Sequence, residues 1–248
     1  MKILARPSLL AATSVFALIG FGCTPAPAEK KEGETPSKPT AAIDKPAKAV
    51  TLADLPGELK HEGFEYYGLG YEKSTPLQLV SPNGAIQTGE QKVVLKSFED
   101  GKAIFEVQRT GGLAANMGNN ELRVEADGVY VHSSSIAKVG ERDLEVPAKM
   151  SPGSTWITKT EIANDSQKLK LTMNFKAQGF EDVTTPAGKF NALLVTGDGS
   201  GTINGKKARM ETRAWYVKGR GNVKTEITTI DDQGARQSLR IEEAKSTG

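Results

Sequence analysis

The stretch KLKLTMNF, Lys168 to Phe175, alternates apolar and polar residues without a break. Leu169, Leu171, Met173 and Phe175 fall on one face of an extended chain; Lys168, Lys170, Thr172 and Asn174 fall on the other. Successive strand side chains point to opposite faces, so the pattern predicts a strand with one buried and one wet face. A helix would scatter the same four apolar residues around its circumference.

Outward from this strand, from about Thr51 on, turn signals recur at intervals of roughly 8–12 residues, the spacing of an all-β sandwich or barrel. Gln91–Phe98 and Lys102–Arg109 flank Asp100-Gly101, and Glu121–Ala126 and Val129–Ser133 flank Asp127-Gly128. Thr155–Ile162 joins Lys168–Ala177 through Asn164-Asp165-Ser166-Gln167. Thr202-Ile203 and Lys206–Val217 flank Asn204-Gly205, and Asn222–Thr229 joins Ala235–Glu242 across Asp231 to Gly234. Asp-Gly and Asn-Gly supply the positive φ of two-residue hairpins. Hairpins in series predict a mostly antiparallel sheet with little helix. The best helical candidate is a short turn at Leu52–Leu59, with Thr51 as N-cap and Asp54 three residues on, weakened by Pro56 and Gly57.

The N-terminal segment sets an expected compartment. Lys2 and Arg6 precede an uncharged apolar run from Ser8 to Gly22. The run is shorter than the roughly 20 residues of a membrane-spanning helix and matches the apolar region of a signal peptide. It ends in Gly20-Phe21-Gly22-Cys23, which resembles a bacterial lipobox. Residues 1–22 are expected to be a lipoprotein-type signal peptide, and Cys23 the lipidated residue, with membrane attachment through its acyl chains. Phe21 is bulky for that motif and Gly20 replaces an aliphatic residue; cleavage after Ala26-Pro27-Ala28 is the rival, giving a soluble secreted or periplasmic protein. Thr24 after the cysteine favours the outer membrane, facing the periplasm. Residues 23–50 are rich in Pro, Lys and Glu and hold too few large apolar groups to fold, so they read as a disordered tether. Residues 51–248 read as one β domain.

Composition excludes several functions. The formal net charge is +2, which gives no drive toward nucleic acid. Cys23 is the single cysteine, so the domain can hold no internal disulfide, Cys–His catalysis or Cys-rich zinc site. His61 and His132 are the two histidines. His61 lies among charged residues and reads as a surface group. His132, beside the serines at 133–135, lacks an evident acid and oxyanion hole. No Gly-x-Ser-x-Gly elbow or His-Glu-x-x-His is present. Gly197-Asp198-Gly199-Ser200-Gly201 lacks the residues of a phosphate or calcium loop and reads as a flexible hairpin turn. Glu181-Asp182 and Asp231-Asp232 read as solvated turns. No cofactor or metal site is expected.

Three segments carry a family resemblance: Val183 to Val195 (VTTPAGKFNALLV), Trp215 to Lys224 (WYVKGRGNVK) and Pro152 to Trp156 (PGSTW). They resemble a TapB-like group of exported bacterial proteins, and more loosely the half-barrel lipoprotein carriers LolA and LolB. The resemblance covers roughly residues 60–240. It implies a strongly curved, half-barrel or barrel-like sheet, and no catalytic residues, since the group has no agreed activity. Each motif also has a structural reading. Pro186 presets a type I turn before Phe190 opens a strand, and Gly219 and Gly221 can supply positive φ in a hairpin.

Trp215 and Tyr216 are strand neighbours, so they occupy opposite faces; either both faces meet apolar surroundings or one aromatic faces a groove. Arg209, Arg213, Lys218, Arg220 and Lys224 cluster nearby, as a solvated face or as a contact for anionic lipid or a carboxylate partner. The uncharged loop Thr110–Asn120 carries Leu113 and Met117; it reads as mobile, with a lid as the sharper alternative. The candidate binding residues are therefore Trp215, Tyr216, Arg213, Arg220, Leu113 and Met117. The leading expectation is a non-enzymatic, lipid-anchored envelope binding or scaffold protein, with a lipid or an envelope protein as partner. A closed structural module is the second reading and a carboxylate-dependent hydrolase the third.

Overall fold

The computed structural model describes residues 50–136, 139–140, 142–163 and 168–246. Cys23, and the readings of residues 1–22 as a leader and of 23–50 as a tether, lie outside the described residues but for residue 50, as does the Asn164-Asp165-Ser166-Gln167 connection. Twelve strands form one antiparallel sheet. In chain order they are β1 (Thr75–Val80), β2 (Ile86–Glu99), β3 (Lys102–Arg109), β4 (Asn120–Glu125), β5 (Gly128–Ser134), β6 (Asp143–Pro147), β7 (Thr155–Ala163), β8 (Lys168–Thr185), β9 (Gly188–Ile203), β10 (Lys206–Val217), β11 (Gly221–Asp231) and β12 (Arg236–Glu243). Each strand pairs with its chain neighbour, except that β1 closes onto β12 and β6 does not pair with β7. The result is a nearly closed barrel with about 10% helix. Across the unpaired seam, Thr158 Oγ1 donates to the Leu144 carbonyl at 2.8 Å.

The Lys168–Phe175 alternation places Leu169, Leu171 and Met173 inside, at 3%, 2% and 0% exposure. Asp100-Gly101 and Asn204-Gly205 both take positive φ in their hairpins, as type I′ turns require. Asp127-Gly128 does not: the β4–β5 turn is Ala126-Asp127, and Gly128 is already the first residue of β5, paired with Glu125. Two further readings are corrected. Gly197–Gly201 is not a turn but the middle of β9. A Cβ on Gly197 would collide with the Phe175 ring and the Thr212 hydroxyl, and one on Gly199 with Met173. These glycines leave room on the inner face for side chains leaning over from β8 and β10, a use of strand glycine that composition cannot separate from a turn. Glu181-Asp182 likewise lies inside β8, paired with Ala192 and Asn191.

A barrel of about eight strands is filled by its own side chains, whereas more strands leave a lumen. Two short helices and an N-terminal segment occupy this one. Thr51 and Asp54 form a capping box on a 3₁₀ turn, Leu52–Asp54, and a second turn follows at Gly57–Leu59. Helix α1 (Glu62–Tyr67) comes next and ends at Gly68, whose φ is 77°. Helix α2 (Gly111–Met117) links β3 to β4. Leu55, Leu59, Phe64 and Leu69 enter the main core with Phe105, Leu79, Leu122 and Met150. Phe64 meets Phe105 edge-to-face at 5.8 Å between ring centroids.

The Thr110–Asn120 connection is thus a helical plug rather than a mobile loop. Leu113 is 0% and Met117 4% exposed; they are four residues apart, on one helix face. Gly89 lets α2 approach, since a Cβ there would collide with the Thr110 carbonyl.

Truncating a plug residue should therefore resemble a core mutation. Phe64→Ala is expected to cost about 3–5 kcal/mol in urea unfolding, whereas Phe180→Ala, at a 56% exposed position, should stay within about 0.5 kcal/mol.

Candidate functional site

The six candidate residues separate into three places. Trp215 lies on the outer face of β10 in a small second core with Val183, Ala192, Leu194 and Val223. Its indole Nε1 donates to Glu181 Oε1 at 2.7 Å. Arg213 and Lys224 stand over its ring at 4.8 and 5.0 Å. Arg213 also reaches Glu181 at 3.3 Å. Trp215 is 3% exposed, so both faces of this strand meet apolar surroundings.

Tyr216 points inward, next to Met117, at a small void of about 40 Å³ lined also by Gln91, Arg109, Asn222 and Glu242. Burial pushes the Tyr216 phenol well above its usual range, and the Glu145 carboxylate adds to the shift. Arg109 is fully enclosed. Its Nε donates to Gln91 Oε1 at 2.9 Å and its Nη1 to the Gly118 carbonyl at 2.8 Å. Desolvation lowers the Arg109 guanidinium, opposed by Tyr67 and Glu145. The polar interior of Arg109, Glu145 and Tyr67 was not among the sequence candidates. Arg109 had a visible signal: it ends the inward row Ala103, Phe105, Val107, Arg109, where a charge needs an interior partner.

Arg220 sits at the β10–β11 turn. It grips Glu243 with three contacts of 2.7–3.1 Å and lies over Tyr71 and Phe190 at 5.6 and 5.0 Å. The basic cluster is mostly neutralised: Lys218 pairs with Glu65 and Lys224 with Glu226. It forms a paired surface rather than a bare cationic patch. Gly219 and Gly221 take positive φ, as the turn needs.

His61 is corrected from surface residue to structural link. Its Nδ1 accepts the Phe64 N–H at 3.1 Å, which caps α1. Its Nε2 lies 3.0 Å from the Glu125 carbonyl and so carries the proton. Burial lowers its pKa from 6.5, opposed by the Glu125 carbonyl and Asp127. His132 is exposed, and its neighbour Ser133 donates to Glu121 at 2.9 Å. Among the described residues, no group of three or more His, Cys, Asp or Glu could hold a metal ion.

The interior offers little space. A second small void, near Tyr67 and Arg220, is about 20 Å³. A water needs roughly 10–15 Å³ measured this way, so the two voids admit a few waters and no acyl chain.

A family model described as DUF3108-like matches residues 114–239, just over half of the chain. The chain belongs to the DUF3108-like family. The matched region runs from α2 into β12 and includes the Trp215, Tyr216 and Arg220 neighbourhood. No curated protein matches the chain. Two solved structures are similar to this DUF3108-like chain. One, from Bacteroides fragilis, is described as an inferred exported protein with a YmcC-like fold; it is 13% identical, with a TM-score of 0.46, over 69% of this chain and 93% of its own. The other, from Parabacteroides distasonis, is described as an inferred lipoprotein; it is 13% identical, with a TM-score of 0.42, over 68% of this chain and 93% of its own.

Two outcomes are expected. Arg220→Met leaves the buried Glu243 carboxylate without its cation and should cost roughly 2–3 kcal/mol, below the 3–5 of a fully buried pair because Arg220 is about one-third exposed. Adding Glu243→Leu should recover most of that loss in denaturant titrations. For His61 the folded pKa lies below the unfolded one, so between the two values the unfolded state binds more protons. Its contribution is complete above about pH 6.5 and declines as pH falls below it. His61→Asn, which keeps a capping side chain, should flatten the urea midpoint between about pH 7 and 5.5.

Proposed function

We propose that this DUF3108-like chain is a lipid-anchored, non-enzymatic protein of the bacterial cell envelope. Its filled barrel serves as a rigid scaffold, presenting its rims and outer face to envelope partners. The observation that carries the scaffold reading is the occupied lumen: α1, α2 and the Leu52–Leu59 segment stand where a carrier would hold its cargo. The remaining small voids, about 20 and 40 Å³, are too small for an acyl chain. The concave-side lipid carrier suggested by the resemblance to LolA and LolB would require those plugs to leave.

The anchor rests on the run Ser8–Gly22 followed by Cys23. Thr24 after the cysteine supports the outer membrane, with the domain held in the periplasm. The nearly neutral charge balance, +2 overall, fits a protein-facing role better than capture of nucleic acid.

Metabolic labelling with radioactive palmitate tests the anchor. The wild-type chain should carry label and sediment with membranes, and Cys23→Ala should lose both. An unlabelled wild-type chain recovered in the soluble fraction would overturn the reading. For the scaffold, solvent extraction of the protein purified from its membrane should release no lipid beyond the covalent chains; stoichiometric non-covalent lipid would contradict it.

A further inference from the structure

Strands β6 and β7 are the two edges of the sheet, so the seam between them receives main-chain groups that no neighbouring strand takes up. Their direction follows from the ladder. The Asn204 N–H donates to the Lys168 carbonyl at 2.7 Å, so Lys168 turns its main chain toward β9. Alternation turns Leu169, Leu171, Met173 and Phe175 toward β7, and their partners Ile162, Thr160, Thr158 and Trp156 back toward β8. Ala177 agrees: its carbonyl accepts the Gly153 N–H at 2.8 Å and its N–H donates to the Ser154 carbonyl at 2.9 Å, both on the β7 side. Ile157, Lys159 and Glu161 therefore point their N–H and C=O groups into the seam.

Strand β6 does not take these groups up. Among the described residues no backbone hydrogen bond joins β6 to β7; the crossing bond is from Thr158 Oγ1 to the Leu144 carbonyl. With Leu144 beside Thr158, β6 begins at Asp143, level with Lys159, and Thr160 to Ala163 run past it. Thr160 supplies a second observation. It is 2% exposed and its Oγ1 has no hydrogen-bond partner, a state that buried hydroxyls rarely keep.

The outward side chains set a register. Lys159 has no carboxylate within ion-pair distance among the described residues. Glu161 meets Lys170 at 3.5 Å, in an exposed pair that contributes little. Against an antiparallel copy of β7, a two-fold axis at Lys159 sets lysine opposite lysine, and one at Glu161 sets glutamate opposite glutamate. An axis at Thr160 sets Lys159 opposite Glu161 of the second copy, twice.

We infer that β7 pairs with β7 of a second copy of this chain, antiparallel about a two-fold axis at Thr160. Lys159 and Glu161 form the hydrogen-bonded pairs, since both point into the seam, and each pair exchanges two main-chain bonds. Thr160 meets its own copy in the close pair between them, where the two hydroxyls can bond each other. The exchange gives up the Thr158–Leu144 bond and moves the start of β6 aside. This contact goes beyond the scaffold reading and does not depend on the Cys23 anchor.

The test has two arms. Thr160→Cys, introduced into the full chain in its membrane and treated with a mild oxidant, should give a disulfide-linked dimer on a non-reducing gel, because the close pair brings the two Cα atoms within disulfide range. Thr158→Cys, which faces residue 162 of the second copy, should not, and neither should the unsubstituted chain. In sedimentation equilibrium of the otherwise unsubstituted full chain in detergent, Lys159→Glu and Glu161→Lys should each weaken dimerisation about tenfold or more, since each sets like charges opposite one another at both symmetric contacts. The double reversal should recover most of that loss. A monomer at the highest soluble concentration, a dimer indifferent to the single reversals, or a crosslink at Thr158 in place of Thr160 would overturn the inference.

Discussion

The width of the barrel is the constraint on which this structure depends. Twelve strands enclose more space than their own inward side chains can fill, and an empty apolar lumen would forfeit the packing that stabilises a core. The chain meets this by folding two short helices and an N-terminal segment into the interior. Neither helix has the length to be stable alone; each exists because its apolar residues complete the barrel. The dependence is mutual. Gly63 N–H donates to the Ala148 carbonyl, the Gly219 N–H to the Glu65 carbonyl, and His61 links α1 to the β4–β5 turn. Helix α1 thereby ties the end of β6 and the β4–β5 turn to the β10–β11 turn.

The polar groups follow from the same geometry. An inward-facing strand position next to a plug helix meets backbone as well as side chains, so Arg109 can be satisfied by the Gly118 carbonyl at the end of α2. Outside, long strands extend past the barrel rim at the Thr185–Gly188 hairpin, and their outer faces bury Trp215 under a layer of paired charges. Glu181 serves the indole and Arg213 together. These interactions consume the side chains that would otherwise suggest binding chemistry at the aromatic motif.

Much of the sheet was legible in the sequence, because strand alternation and hairpin glycines are local signals. Leu169–Phe175 and the Asp100-Gly101 and Asn204-Gly205 turns needed no tertiary information. Helix α2 was legible in part: Leu113 and Met117 four residues apart, with Ala114 and Ala115 between them, lie between Thr110 and Gly118. The run was instead read from its glycines and asparagines. Gly197–Gly201 misled for the converse reason, since only the side chains of neighbouring strands reveal why glycine is required in mid-strand. His61 could not be placed from its charged neighbours, because its partner carbonyl comes from Glu125, far away in sequence. The closure of β1 onto β12, and the filling it forces, are likewise long-range facts. That Trp215 and Tyr216 take opposite faces follows from their adjacency on a strand; what covers each face does not, because those groups come from other strands and from α2.

Native-state hydrogen exchange on the full chain at neutral pH tests most directly whether the barrel is a filled one. If α1 and α2 are integral to the core, the amides of Gly68, Leu69 and Gly118 should exchange only through global opening, with the same free energy as the central residues of β3 and β4. Exchange of those amides orders of magnitude faster, while the strands stay protected, would mean that the plugs leave an intact barrel, and the account of a permanently occupied interior would fail.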